Sequence, residues 1–100
     1  MNRKYEAMFI IKNYENEDKR NETIDRINNV FISEYCNIYD KEEMGIRKLA
    51  YEIKGQKEGF YYYIKFNAPD NIQDTGKISV NINTIEDVIK HIIVKLTDKD

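Results

Sequence analysis

The first third of the chain changes from one hydrophobic period to another. Residues 3–12 become apolar in their second half and end at a polar cluster, residues 13–16, which is typical of a largely buried strand. From about Glu17 to Tyr35, apolar residues recur at steps of three and four, as on one face of a helix. That predicted face consists of Ile24, Ile27, Val30, Phe31 and Tyr35.

The middle of the chain is rich in β-forming residues. Residues 37–54 carry β-branched and aromatic side chains and are interrupted by Gly45, which predicts a strand with a bulge or bend. Residues 58–67 hold the densest run of β-forming residues. Between these strands, the glycine-flanked segment 55–59 predicts the reversal of a hairpin.

The last third predicts one weak element and one strong one. Pro69 ends the preceding strand, because proline cannot donate a hydrogen bond to the sheet and favours the first turn of a helix. Residues 71–83 then predict only a short or weak helix, since Gly76 and polar residues interrupt the apolar series. Residues 88–96 are strongly β-forming and predict the final strand.

The element order β-α-β-β-α-β predicts an α+β fold of the ferredoxin-like, split βαβ type. In this fold a four-stranded antiparallel sheet carries two helices on one face and leaves the opposite face open. A chain of 100 residues and 12.0 kDa suits one such domain. We predict a single domain over residues 1–96 and a short polar C-terminal end at 97–100.

Alternation along the strands predicts what the open face presents. Phe66, Ile64 and Tyr62 form a plausible core set in the third strand, so their neighbours point away from the helices. The same argument on the other strands gives the open face an apolar centre with basic residues toward the strand ends. Contiguous exposed apolar surface usually marks a protein partner. The predicted partner-binding residues are Met8, Ile10, Tyr61, Tyr63, Ile92 and Val94.

Composition narrows the class of protein. The formal net charge of −2 argues against a broadly basic, non-specific nucleic-acid binder. The longest apolar runs, 7–11 and 60–64, are far shorter than the roughly 20 residues of a membrane span, so no membrane association is expected. A single cysteine, Cys36, excludes an internal disulfide and a cysteine-built zinc site. The cytoplasm is the default location.

No residue pattern predicts catalysis, a metal site or a cofactor. His91 is the one histidine and has no carboxylate or cysteine at ligand spacing, so it is interpreted as a sheet residue. Glu42 and Glu43 are neighbours on a predicted strand and therefore point to opposite faces. An enzyme of the same fold, such as an acylphosphatase, would need a glycine-bearing phosphate loop, and residues 12–16 contain no glycine. We expect no enzymatic activity and no small-molecule substrate.

One run of residues is specific enough to suggest a family. The segment 45–53, Gly-Ile-Arg-Lys-Leu-Ala-Tyr-Glu-Ile, resembles the signature G-x-R-x-L-A-Y-x-I of bacterial small-subunit ribosomal protein number six. The Arg3-Lys4-Tyr5-Glu6 opening, the Gly59-Phe60-Tyr61 run, Pro69 and the closing strand fall in the family's order, over residues 2–96. The chain departs from the family pattern in two ways. It carries about two additional residues between Pro69 and Glu86. Gly76 also stands where the family has a large apolar residue.

The resemblance implies a non-enzymatic structural protein of the small ribosomal subunit. It would pair with small-subunit ribosomal protein number eighteen and bind, as that heterodimer, a helical junction in the central domain of 16S ribosomal RNA. Basic residues at positions that match the family would contact phosphates, which position a protein without reading sequence. The RNA-binding residues expected in this way are Arg3, Lys4, Arg47, Lys48, Lys90 and Lys95.

Two other binding functions remain open at the level of sequence. The segment 61–66, Tyr-Tyr-Tyr-Ile-Lys-Phe, is similar to the aromatic part of an RNA-recognition motif, in which such residues stack on unpaired bases. The glycine that follows a basic residue in that motif is missing here. A ferredoxin-like regulatory domain that binds a ligand and dimerises through its open sheet is the other alternative.

Overall fold

The four strands form one antiparallel sheet in the order β2-β3-β1-β4. The computed structural model describes residues 3–13, 16–69 and 76–96. Both helices contribute to the same buried cluster as one face of the sheet. The predicted α+β, ferredoxin-like fold is therefore confirmed. The elements are β1 (Arg3–Lys12), α1 (Glu17–Ser33), β2 (Asn37–Ile53), β3 (Gln56–Ala68), α2 (Gly76–Asn83) and β4 (Val88–Lys95).

The core lies between the helices and the sheet face that alternation predicts. Alternate residues of β1 and β3 are almost fully buried, and they pair directly across the two strands, as Phe9 does with Tyr62. Phe31 of α1 lies over this face, with its ring centroid 4.6 Å from that of Phe66 and 6.1 Å from that of Phe9. Burying side chains of this size contributes about 1.5–3 kcal/mol each. The sheet face opposite the helices lies outside this core cluster.

Helix α1 begins as its sequence predicts and ends two residues earlier than expected. The Asn16 side chain caps the first turn by accepting a hydrogen bond of 2.9 Å from the Asp18 backbone N–H. At the other end, Cys36 N–H donates to the Phe31 carbonyl and Tyr35 N–H to the Ile32 carbonyl, the hydrogen-bond pair of a Schellman cap. Tyr35 takes the left-handed conformation at φ +61°. The prediction that Tyr35 lies on the buried helix face is wrong; its side chain is 86% exposed.

The reversal between β2 and β3 lies at Lys54 and Gly55, not across residues 55–59 as predicted. These two residues have φ of +49° and +80°, as a type I′ turn requires, and Ile53 pairs with Gln56 on either side. Segment 56–59 therefore belongs to β3. Gly59 marks a close approach instead of a turn, because a Cβ built on it would lie 2.3 Å from Cγ2 of Ile10.

Strand β2 is irregular, as Gly45 predicts. Its register against β3 shifts between Ile38 and Asp40, between Glu43 and Gly45, and between Lys48 and Ile53. Gly45 itself has φ +91° at the second of these shifts. Bulges bend a strand and increase its twist. The far part of the β2–β3 hairpin, residues 46–58, continues past Lys12, the last residue of β1 that pairs with β3.

The second helix is short, as its interrupted pattern predicts. Of the predicted span 71–83, residues 71–75 lie outside the described part of the chain. Gly76 is the exposed first residue of α2, and Ile78 and Ile82 are buried against the core. The predicted C-terminal end at 97–100 also lies outside the described residues. In the described part of the chain, no helix has the length and apolar character needed to span a membrane.

Candidate RNA and protein interface

Three strands align the predicted residues of the open face in rows. Met8 of β1 lies between Tyr63 of β3 and Ile92 of β4. One row farther along β1, Ile10 lies between Tyr61 and Lys90. Directly opposite strand residues have Cβ atoms about 4.5–5.5 Å apart, so these side chains are neighbours. The register therefore brings the predicted apolar residues together at the centre of the open face.

The exposed fraction of these side chains differs across the face. Ile92 and Val94, on the edge strand β4, are 51% and 47% exposed. Met8, Tyr61 and Tyr63 are half-buried among their neighbours. Ile10 was predicted as a partner-binding residue, yet it is only 9% exposed. It lies against Gly59, so it offers little surface, and the accessible apolar area is centred on β4.

A hydrogen bond lies in the middle of the open face. The Tyr63 hydroxyl donates to a carboxylate oxygen of Glu6. Burial and, second, this hydrogen bond raise the pKa of Tyr63 to about 12. The phenol consequently remains a protonated donor at neutral pH. It keeps one carboxylate on the face, beside the apolar centre.

Four of the predicted basic residues lie at the ends of the strands that form the open face. Lys4 and Lys95 are exposed at one end, where the Leu96 N–H donates to the Lys4 carbonyl at 2.9 Å. Arg3 lies in the same strand end with its backbone opposite Ala68. Lys90 is exposed at the other end, opposite Ile10. The two ends are six residue steps apart along β1, from Lys4 to Ile10, which is roughly 20 Å at the usual rise of a strand.

The hairpin contributes the remaining two predicted cations. Arg47 pairs with Gly59, and Gly59 pairs with Lys12 on its other side. This register places Arg47 on the open face. The side chains of Arg47 and Lys48 are both exposed. Lys48 is one residue farther along and so points to the other side of the ribbon. Lys95, opposite the core residue Tyr5, is likewise on the helix side of its strand. The six predicted RNA-binding residues therefore form two clusters on the rim and do not share one face.

Sequence reasoning missed Tyr51 as a member of this surface. Its hydroxyl lies 3.3 Å from Nζ of Lys90, and the same Nζ is 5.8 Å from the centroid of its ring. The two residues belong to the opposite edge strands β2 and β4, so the contact crosses β3 and β1. The bulges of β2 hid this contact, because they break the alternation that would have assigned Tyr51 to a face. Its place in the family signature was the available signal.

Two further titratable groups, His91 and Cys36, lie among packed side chains. The His91 ring stacks on Phe9 with centroids 6.4 Å apart, and burial lowers the pKa of His91, which favours the neutral ring. Cys36 is buried, and burial followed by the charge of Glu34 raises its pKa to about 11, so the thiol is unreactive at neutral pH. Among the described residues, no group of three or more His, Cys, Asp or Glu could hold a metal ion.

Fold and surface together define a class of protein. A small α+β domain with an apolar open face, and with cations at both ends of it, has the surface of a binding domain, since apolar area suits a protein contact and cations suit phosphates. The particular family follows from comparison with known sequences. The profile of the family described as ribosomal protein S6 matches residues 4–95. The chain therefore belongs to the ribosomal protein S6 family, a structural and non-enzymatic family, and as a member it is a component of the small ribosomal subunit in the cytoplasm.

Individual relatives agree with this assignment. The chain is 32% identical over 93 residues to the small ribosomal subunit protein bS6 of Alkaliphilus oremlandii, covering 93% of this chain and 96% of the relative. It is similar to the crystal structure of the 30S ribosomal protein S6 of Thermotoga maritima, with a TM-score of 0.85 and 29% identity over 96% of this chain and 89% of the other.

The fold itself is more widespread than the family. The P2 domain of the chemotaxis kinase CheA from Thermotoga maritima matches with a TM-score of 0.65, covering 96% of this chain and the whole of that domain. The two sequences are only 15% identical, so this likeness shows the fold alone. The resemblance inferred from the signature at residues 45–53 is confirmed by the family match.

Proposed function

We propose that this chain pairs with small-subunit ribosomal protein number eighteen and that the heterodimer binds the central domain of 16S ribosomal RNA. The observation that carries the proposal is the open sheet face, which combines exposed Ile92 and Val94 with separate basic clusters at its two ends. An apolar patch of this kind suits a protein partner, whereas the cations suit phosphates.

The low net charge supports binding as a pair. With 16 basic and 18 acidic residues, the chain cannot supply the broad positive surface of an independent RNA binder. Its rim offers only a few cations, each able to neutralise one phosphate. A basic partner on the apolar face would add the missing charge next to them. RNA affinity should therefore depend strongly on the partner.

The base-stacking alternative receives less support from the same surface. Tyr61 and Tyr63 lie on the open face, as in an RNA-recognition motif, but they are half-buried. The Tyr63 hydroxyl is held by the Glu6 carboxylate, which fixes the ring among its neighbours on the sheet. A regulatory domain that dimerises through this face would bind a second copy in place of the partner protein.

A reconstitution experiment tests the proposal. The partner protein, an RNA fragment that contains the central-domain junction, and this chain are mixed in turn, and complexes are measured by filter retention and by sedimentation. We expect tight RNA binding only when both proteins are present. Tight binding by this chain alone would contradict the heterodimer, and self-association without partner binding would favour the regulatory alternative.

Two matched pairs of variants locate the two contacts. Val94→Asp should weaken partner binding by at least about ten-fold, because it places an unpaired charge in the interface. Val80→Asp is the control, since Val80 on α2 is 64% exposed.

Lys90→Ala should reduce the salt dependence of heterodimer binding to RNA by about one unit. Lys77→Ala, on the exposed side of α2, should not change that dependence.

A further inference from the structure

The far part of the hairpin is a positively charged segment in an acidic protein. We call residues 46–58 the hairpin arm; it carries four cations and two carboxylates, a net charge of +2, whereas the whole chain has −2. Lys90 adds a further cation where it contacts Tyr51. The cations of the arm are Arg47, Lys48, Lys54 and Lys57, and its carboxylates are Glu52 and Glu58.

Tyr51 is an exposed aromatic ring within this positive segment. Its side chain is 64% exposed, and Nζ of Lys90 lies 5.8 Å from the ring centroid and 3.3 Å from the hydroxyl. A groove of about 490 Å³ runs beside the ring between the two strands of the arm. It is lined by Lys48, Leu49, Tyr51, Glu52, Lys57 and Glu58. The volume is within the range of sites that hold small ligands.

We propose that the Tyr51–Lys90 corner binds one unpaired nucleotide of the ribosomal RNA, with the base stacked on the Tyr51 ring and an adjacent phosphate on Lys90. Unpaired RNA bases stack on aromatic side chains, and cations beside the ring hold the backbone. The exposed apolar side chains of Ile92 and Val94 suit a protein partner better than this charged corner does. The inference rests on the proposed function and adds the kind of RNA contact.

This corner differs from the aromatic surface of an RNA-recognition motif. There the stacking residues lie at the centre of the sheet, where Tyr63 here is half-buried and bonded to Glu6. Tyr51 instead lies on the hairpin arm and contacts a lysine. The proposed stacking residue therefore lies at the end of the sheet and not in its middle, so the centre of the sheet remains available to the protein partner.

Fluorescence gives a direct test, because the chain contains no tryptophan. Tyr51→Trp introduces the single tryptophan at the corner, which is excited at wavelengths that tyrosine does not absorb, and Tyr35→Trp is the control at an exposed site at the end of α1. Each variant is mixed with the partner protein first and with the central-domain RNA fragment second, while filter retention reports complex formation. When RNA is added, we expect the Tyr51→Trp variant to lose most of its tryptophan emission. The emission of the Tyr35→Trp variant should not change.

The outcomes separate this inference from the proposed function. If wild-type chain and partner do not retain the RNA, the proposed function fails. If the complex forms but the emission at position 51 is unchanged, the nucleotide site alone is overturned. Quenching that occurs fully on addition of the partner protein would make the corner a protein contact and would also overturn the site.

A second comparison distinguishes stacking from positioning of Lys90. Tyr51→Leu should lower RNA affinity about ten-fold with the salt dependence unchanged, because a stacked base and not a phosphate contact is lost. Tyr51→Phe keeps the ring and loses only the hydroxyl, so it should bind like wild type. If Tyr51→Phe is as weak as Tyr51→Leu and its salt dependence falls by one unit, the hydroxyl positions Lys90 and the stacking proposal is wrong.

Discussion

Replacing Gly59 by alanine tests why a glycine stands inside strand β3, where the pairing with β1 ends. A Cβ at this position would lie 2.3 Å from Cγ2 of Ile10, 3.5 Å from the Ile11 carbonyl oxygen and 3.7 Å from Cδ2 of Leu49. Only the first contact is impossible, since carbon atoms at optimal separation are about 3.5–4.0 Å apart. The Ile10 methyl would have to move by more than about 1 Å. Ile10 is 9% exposed and β-branched, so it moves with difficulty.

We expect Gly59→Ala to lower the free energy of unfolding by about 1–3 kcal/mol, the usual cost of inserting a methyl group into a packed site. For a domain of this size, that corresponds to a fall in Tm of roughly 4–8 °C per kcal/mol. Urea unfolding and thermal melts measure it. In an Ile10→Ala background, which removes Cγ2, the same substitution should cost little. An equal cost in both backgrounds would refute the steric explanation.

Gly55→Ala is the matched control. This glycine has φ +80° and no atom within 4 Å of a built Cβ, so its substitution costs free energy through backbone conformation and not through contact. The loss of stability from Gly55→Ala should be the same with and without Ile10→Ala. If the stability cost of Gly55→Ala differed between the two backgrounds, the comparison of double variants would not isolate the contact between position 59 and Ile10.

Two further predictions concern the end of α1. Tyr35→Gly should raise the free energy of unfolding, measured by urea unfolding, by up to about 1 kcal/mol. Glycine adopts the left-handed conformation without strain, and the Tyr35 side chain is too exposed for its loss to cost packing. A lower free energy of unfolding would contradict this. The pKa of Cys36 is raised in the fold to about 11 from 9.0, so its contribution to stability is present below pH 9 and falls toward pH 11. Wild type should therefore lose more stability than Cys36→Ala between pH 8 and 10, and equal losses would rule out this role.

Alternation predicted the sheet because three of its strands are regular. In β1, β3 and β4 each residue has a direct partner over most of the length, with one irregularity near Ile10, so period two correctly separates core from open face. The face of β4, with Ile92 and Val94 opposite the helices, follows from that register. Burial on one side fixed these strands, since a slip of one residue would expose the whole core set.

The prediction was least accurate where backbone conformation decides the structure. Tyr35 continues the helical spacing, but the chain leaves the helix at Ser33 through a Schellman cap in which tyrosine takes a position that glycine usually occupies. The hairpin turn uses lysine at the first left-handed position, so composition pointed to the glycine-rich segment that follows. Spacing rules detect neither case, because the residue types are unusual for the conformations they adopt.

The two basic clusters and the apolar strand β4 suggest a division of binding surface that explains the net charge. A uniformly basic face would attract RNA to the area that the protein partner needs, and would repel a basic partner. Here the middle of the face holds apolar side chains and the directly opposed pair Glu6 and Lys65, while Lys4 and Lys90 lie at opposite ends. In the proposed complex, each ligand would therefore meet a surface of complementary character. The overall charge of −2 is then compatible with the proposed RNA binding, because Lys65 is opposed by Glu6 in the middle of the face and the predicted phosphate-binding cations lie at its edges.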